Sequence, residues 1–237
     1  MTHIAHPYVQ RLGINRDWKS RWFATDPAKY REYLRTDAAI RKLLAKKLKG
    51  MSVDVVEIER DDKALRILIK TARPGLIIGR SGEGATKLRH DVDMLLRKLK
   101  LAEKPEIKID IEEVRSVETS AAIVAQMVVE GFEKRMPFRR VLKQTVEKVM
   151  ANRDVQGVRI SVSGRLGGAD MARQEQLKKG RIPLQTLRAD IDYARERANL
   201  PYGVIGIKVW IYRGDVFADR KTGTEEKKAT QHTNRTA

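Results

Sequence analysis

Apolar positions along the chain switch between helical and alternating spacing, and the switches outline its elements. Ile40, Leu43, Leu44 and Leu48 recur at helical spacing, with Asp37 as the expected N-cap and Gly50 as the stop. Val53 to Glu59 reads as a strand. Leu65, Ile67 and Ile69 alternate with Arg66 and Lys70 as a second strand, and the polar link Arg60-Asp61-Asp62-Lys63 predicts a hairpin between them. A turn at Thr71 to Gly75 leads into Leu76-Ile77-Ile78 and then Gly79-Arg80-Ser81-Gly82. Leu88, Val92, Leu95, Leu96 and Leu99 share one face of a helix expected from Glu83 to Lys100. Ile107, Ile109 and Ile111 alternate with charged residues as a further strand. The expected order is helix, strand, strand, short helix, helix, strand.

A second block opens after Val114 to Val117. One helix is expected from Glu118 to Arg135, and another from Met136-Pro137 to Asn152, with Pro137 tolerated in the first turn. Val158, Ile160 and Val162 alternate until Gly164-Arg165-Leu166-Gly167-Gly168 breaks the strand. Ala169 to Lys179 has helix propensity but sits between sheet elements, which leaves it open. Leu187, Ala189, Ile191 and Tyr193 alternate again. Ile205, Ile207, Val209 and Ile211 form the last strand, with Lys208, Trp210 and Tyr212 on its other face, where the rings are expected to pack against helices. Both blocks read as α+β. The expected division is an arm over 1–17, a first domain with its N-terminal extension over 18–116, a C-terminal α+β domain over 117–214, and a disordered polar tail over 215–237.

Charge changes the picture most. The 237 residues carry 49 Lys plus Arg against 31 Asp plus Glu, a net charge of +18. Such an excess attracts polyanions, with nucleic acid first and a membrane surface second. No apolar run approaches the roughly 20 residues of a membrane span, and the first seven residues lack the apolar core of a secretory signal. The absence of cysteine excludes disulfides, thiol catalysis, iron–sulfur clusters and thiolate zinc sites. His3 and His6 have no further ligands near them. Asp91 with Asp93, and Asp190 with Asp192, have magnesium-like spacing but fall in periodic segments where they read as solvated, with Arg188 expected to pair with Asp190. No metal, cofactor, small-molecule substrate or catalytic constellation is expected.

Two constellations carry binding chemistry. Gly79 and Gly82 let the backbone approach a ligand, the following helix offers free N–H groups, and Arg80 adds charge. A P-loop fails because Ala85 stands where lysine is required, and a dinucleotide loop fails on glycine order. Within this order of elements, Gly79, Arg80, Ser81 and Gly82 match the loop with which a KH module clamps about four nucleotides. Ile77 and Ile78 beside it would offer bases an apolar surface. On the helix after Pro137, Phe138, Leu142, Thr145 and Val149 face one way, and Arg139, Arg140 and Lys143 face roughly opposite. That cationic face suits phosphates without reading sequence; by spacing alone a solvated helix surface is the slightly better reading.

Several long motifs then converge. Arg11-Leu12-Gly13-Ile14, Trp22-Phe23, Thr71 to Gly79, Ser161 to Ala169, Gly180 to Leu184, Leu187 to Tyr193 and Tyr202 to Ile211 together resemble the family of bacterial small-subunit ribosomal protein three. The resemblance covers most of the chain. It implies a type II KH domain followed by a C-terminal α+β domain with two helices on a mainly antiparallel sheet. It implies a cytoplasmic, non-enzymatic constituent of the small-subunit head, bound to ribosomal RNA beside proteins ten and fourteen. It further implies a place at the messenger RNA entry tunnel with proteins four and five, where Arg139, Arg140 and Lys143 grip messenger and assist its unwinding. Arg11, Lys19, Arg21, Arg165 and Arg181 are expected ribosomal RNA contacts. The resemblance also makes Ala169 to Lys179 a strand of a long hairpin turning near Lys178-Lys179-Gly180. The competing readings are a free KH-type RNA-binding regulator, for which the C-terminal block has no role, and a nucleic-acid lyase or nuclease, for which acid, base and metal groups are missing.

Overall fold

The computed structural model describes residues 5–61, 64–99 and 105–217. Their elements are α1 (Pro7–Gln10), β1 (Ser20–Arg21), α2 (Pro27–Lys47), β2 (Val53–Arg60), β3 (Ala64–Thr71), α3 (Pro74–Ile78), α4 (Glu83–Leu99), β4 (Glu106–Glu113), α5 (Ala121–Glu133), α6 (Phe138–Met150), β5 (Gly157–Gly164), β6 (Arg173–Gly180), β7 (Ala189–Leu200) and β8 (Gly203–Asp215). His3, Asp62, Lys63, Lys100 and the tail from residue 218 onward lie outside the described residues.

The first sheet runs β1-β2-β3-β4, antiparallel between β2 and β3 and parallel elsewhere. Ile40 and Leu44 of α2 and Leu88, Val92 and Leu96 of α4 pack on Ile58, Leu65, Ile67, Ile69 and Ile107 of the sheet. Alternation leaves charges on the other face, where Arg66 bonds Asp110 at 2.5 Å and Lys70 pairs with Glu57 at 3.3 Å.

Helix α2 starts far earlier than its apolar repeat suggests. Its cap is Asp26, which accepts from the Ala28 amide at 3.0 Å, with Pro27 in the first turn. Asp37 is instead buried mid-helix, accepting from Trp22 Nε1 at 2.8 Å and Arg60 Nη2 at 3.0 Å. The first turns expose Tyr30 and Leu34, which blurs the period there. In the second block, α5 begins at Ala121 rather than Glu118, and Ser120 caps it, taking the Ile123 amide at 3.3 Å.

The second sheet is antiparallel, in the order β6-β5-β8-β7. Its helix face buries Val158, Ile160, Val162, Ile205, Ile207 and Val209 under α5 and α6. The strand expected within Ala169 to Lys179 is present from Arg173, but its hairpin differs. β6 pairs with β5, Gly164 opposite Arg173 and Gly157 opposite Gly180, so the turn spans Arg165 to Ala172. Lys178-Lys179-Gly180 is the far end of the strand, and the chain then crosses to β7 at the opposite edge.

The arm supplies the third layer. Trp210 and Tyr212 are neither exposed nor against helices; with Ala189 and Ile191 they form a small separate core on the sheet's other face. His6 meets Tyr193 edge-on at 4.6 Å, and Arg16 pairs with Asp190 at 2.7 Å. Arg188 therefore does not serve Asp190; it reaches Asp215 at 3.6 Å. The segment expected to begin the tail is partly sheet, since Asp215 pairs with Ala189 and the Val216 amide bonds Arg188 O at 2.9 Å.

The two blocks touch directly. Ser120 Oγ donates to Asp54 at 2.5 Å, and Gln126 Nε2 donates to Val53 O at 3.0 Å. Burial raises the Asp54 pKa, opposed by that hydroxyl, and burial lowers that of Lys19 on the same side.

Candidate nucleic-acid interface

Helices α3 and α4 meet at the Gly79–Gly82 loop. Gly79 ends α3 at φ 71°, ψ −176°, a region that side chains avoid, and Ser81 follows at φ 53°. Arg80 and Ser81 are exposed at the tip. Behind them, a Cβ at Gly84 would overlap the Ile77 carbonyl oxygen and stand 2.9 Å from that of Ile78. The lack of a side chain at Gly84 thus lets the two helices cross closely. The apolar surface beside the loop is Leu76, 54% exposed, and Ile78, 39% exposed; Ile77 is core.

On the C-terminal block, α6 buries Val141, Leu142, Val146 and Val149. Arg139, Arg140 and Lys143 project outward. Arg139 is held loosely by Glu175 at 3.5 Å. Among the described residues, the side chains of Arg140 and Lys143 have no hydrogen-bond or ion-pair partner. The first turn of α6 contains no acidic residue and its N-terminus lacks a side-chain cap, so the helix dipole adds to the positive potential there.

Comparison with known proteins decides the family. A KH-domain model matches residues 39–119, and the model of the ribosomal protein S3 C-terminal domain matches residues 128–211. The small ribosomal subunit protein uS3 of Caldicellulosiruptor bescii is 43% identical over 226 residues, 95% of this chain and 98% of that protein. That of Shewanella amazonensis is 44% identical over 231 residues, 98% of this chain and 96% of that protein. The uS3 protein of Coxiella burnetii is 42% identical over 225 residues, 95% of each.

The chain belongs to the uS3 family. It is a small-subunit ribosomal protein with a KH domain and a C-terminal α+β domain, of a structural rather than an enzymatic family. Among the described residues no three His, Asp or Glu side chains form a metal-binding group, and no helix is long and apolar enough to cross a membrane.

The other cations expected to face RNA in this uS3 chain divide by their surroundings. Arg11 is fully buried, and its guanidinium donates to the carbonyls of Ala189, Pro7, Leu184 and Thr186 at 2.7–3.1 Å, so it is unavailable to RNA. Arg21 is engaged by Asp17, Glu57 and Glu59 within 3.1 Å, which neutralises it. Arg165 bonds the Ala169 carbonyl within its own turn and the Tyr202 carbonyl in the turn between β7 and β8, and so ties the two turns together. Lys19 lies over the Tyr8 ring at 4.8 Å. Arg181 is exposed, and its side chain has no ion pair among the described residues. The sequence reading assigned no role at the interface to Gly84, Leu76, Arg173 or Glu175. A glycine in a helix's first turn is the signal that marks Gly84. The same-face spacing of Arg173, Glu175 and Leu177 marks the last two, once the segment is known to be a strand.

Proposed function

We propose that the protein holds ribosomal RNA in the small-subunit head of the cytoplasmic ribosome and lends the outward face of α6 to incoming messenger. The observation that carries this is the exposed row Arg139, Arg140 and Lys143 on a helix whose opposite side is core. Two of its three cations have no partner among the described residues, and the uncapped helix end adds to them. A rigid row of free cations binds single-strand backbone without regard to sequence. With no nucleotide-hydrolysing motif present, the work of opening messenger duplexes comes from translocation, and the patch holds the strands as they part. Residues 18–116 act as the RNA-binding KH unit and 117–214 as the unit that presents the messenger face. Proteins ten and fourteen are the expected neighbours in the head, and four and five at the entry tunnel.

Two measurements test this reading. Ribosomes carrying Arg139→Ala, Arg140→Ala and Lys143→Ala together should assemble normally yet slow on a messenger hairpin relative to an unstructured messenger. The free triple variant should lose about 2 from the slope of log affinity against log salt on single-stranded RNA, roughly 0.7 per phosphate contact. Normal hairpin passage would end the messenger assignment. Arg80→Asp with Ser81→Asp should weaken RNA binding through repulsion at the KH loop; unchanged affinity and assembly would reduce the loop to a turn. A free regulator, in contrast, would leave the small subunit in a salt-containing sucrose gradient.

A further inference from the structure

β6 is an edge strand, and its residues alternate between two faces. Leu177 points to the helix side, where it packs against the core beneath α6. Arg173 and Glu175 share that face and flank the start of α6. One carboxylate oxygen, Glu175 Oε1, stands 3.5 Å from Arg139 Nη2 and 3.5 Å from Arg173 Nε. Both guanidinium groups also lie against the Phe138 ring, at 5.6 Å and 5.3 Å from its centre. Among the described residues these two arginines have no other carboxylate within ion-pairing distance. The neighbouring Arg140 and Lys143 are not restrained in this way.

We propose that Arg173 is a fourth member of the α6 patch, and that Glu175 is a built-in competitor for the phosphates which Arg139 and Arg173 would take. This rests on the messenger-contact reading above. The physical argument concerns strength. Both ion pairs are long and their arginines are largely exposed, 71% for Arg139 and 50% for Arg173. Pairs of this kind contribute little in water and are screened by salt. A phosphate can therefore displace the carboxylate, but must break its two contacts first. The Phe138 ring keeps both planar groups oriented, so the arginines need little reordering when the carboxylate is displaced. The result is a patch in which two cations are always ready and two are released only on contact. Such a surface holds a strand less tightly than four free cations would, which suits a strand that must keep moving.

The test uses the full chain and a fluorescein-labelled twelve-nucleotide uridine RNA, followed by anisotropy. Glu175→Gln should tighten binding about two- to fivefold, the upper end of what exposed pairs withhold. Glu175→Asp keeps the charge but draws the carboxylate back from the two guanidinium groups, and should give a smaller gain in the same direction. With Arg139→Ala and Arg173→Ala both present, Glu175→Gln should change affinity little. Arg173→Ala alone should lower the salt slope by about 0.7. No gain from Glu175→Gln would overturn the proposal. So would an equal gain with both arginines removed, because that marks a bulk charge effect. Unchanged affinity in the Arg139, Arg140 and Lys143 triple variant would strike the patch reading itself; a Glu175→Gln gain that still requires Arg173 would leave the competitor standing.

Discussion

Replacing Arg11 with alanine is expected to destabilise the protein by about 3 kcal/mol and to release the N-terminal arm from the C-terminal sheet. The side chain has no exposed surface, and its guanidinium donates to four carbonyls: Ala189 on β7, Leu184 and Thr186 in the crossing before it, and Pro7 in α1. The bonds to Ala189 and Pro7 are buried, and those to Leu184 and Thr186 are part-buried. Removing their donor leaves the two buried acceptors unsatisfied and a cavity beside them. Arg11→Lys should recover only part of the loss, since one ammonium cannot span the four acceptors that a guanidinium fork reaches. Urea unfolding gives the stability change. Limited trypsin digestion gives the arm's release, read as faster cleavage after Arg16 and Lys19 than in the core. An arm that stays protected in Arg11→Ala would show that His6 on Tyr193 and Arg16 on Asp190 suffice to hold it.

The second large effect is expected at Gly84. A methyl group there would run into the Ile77 carbonyl oxygen and press on that of Ile78 at 2.9 Å, both backbone atoms that no rotamer change can move. Gly84→Ala should therefore push α4 away from α3, cost about 2–3 kcal/mol or more, and open the loop that carries Arg80 and Ser81. A control at Gly82 separates strain from collision. Its φ is 80°, yet no atom lies within 4 Å of an added Cβ, so Gly82→Asn should be milder. Thermal melting and affinity for single-stranded RNA should fall together in Gly84→Ala. A normal melting point with lost affinity would place Gly84 in the RNA contact itself rather than beneath it.

Much of this was legible along the chain. The order of elements in the first block, the GxxG loop and the outward set Arg139, Arg140 and Lys143 followed from periodicity, glycine placement and charge. Each of these is local: helix and strand faces repeat within a few residues, so neighbours in sequence report them. The misplaced elements share a different cause. Asp37 looked like a cap because caps and buried acids use the same residue types; only its partners Trp22 and Arg60 distinguish the two uses. Arg11 and Arg21 stood among the expected RNA contacts because a sequence does not record which cations are already spent on carbonyls or carboxylates.

Strand alternation also could not say what covers the second face of a sheet. Trp210 and Tyr212 were correctly set opposite Ile205, Ile207 and Val209, but they pack with Ile182, Leu184 and Tyr193, and the arm in turn closes on that cluster through His6 on Tyr193 and Arg11 on Ala189. The sequence by itself determined the local faces, the turns and the sign of the surface. The tertiary structure alone decided that β6 returns along β5, that the arm closes over β7, that Gly84 is a crossing point, and that Glu175 stands between two arginines. Each of those depends on groups far apart in sequence meeting at hydrogen-bond or van der Waals distance, and no periodic pattern in the chain records such meetings.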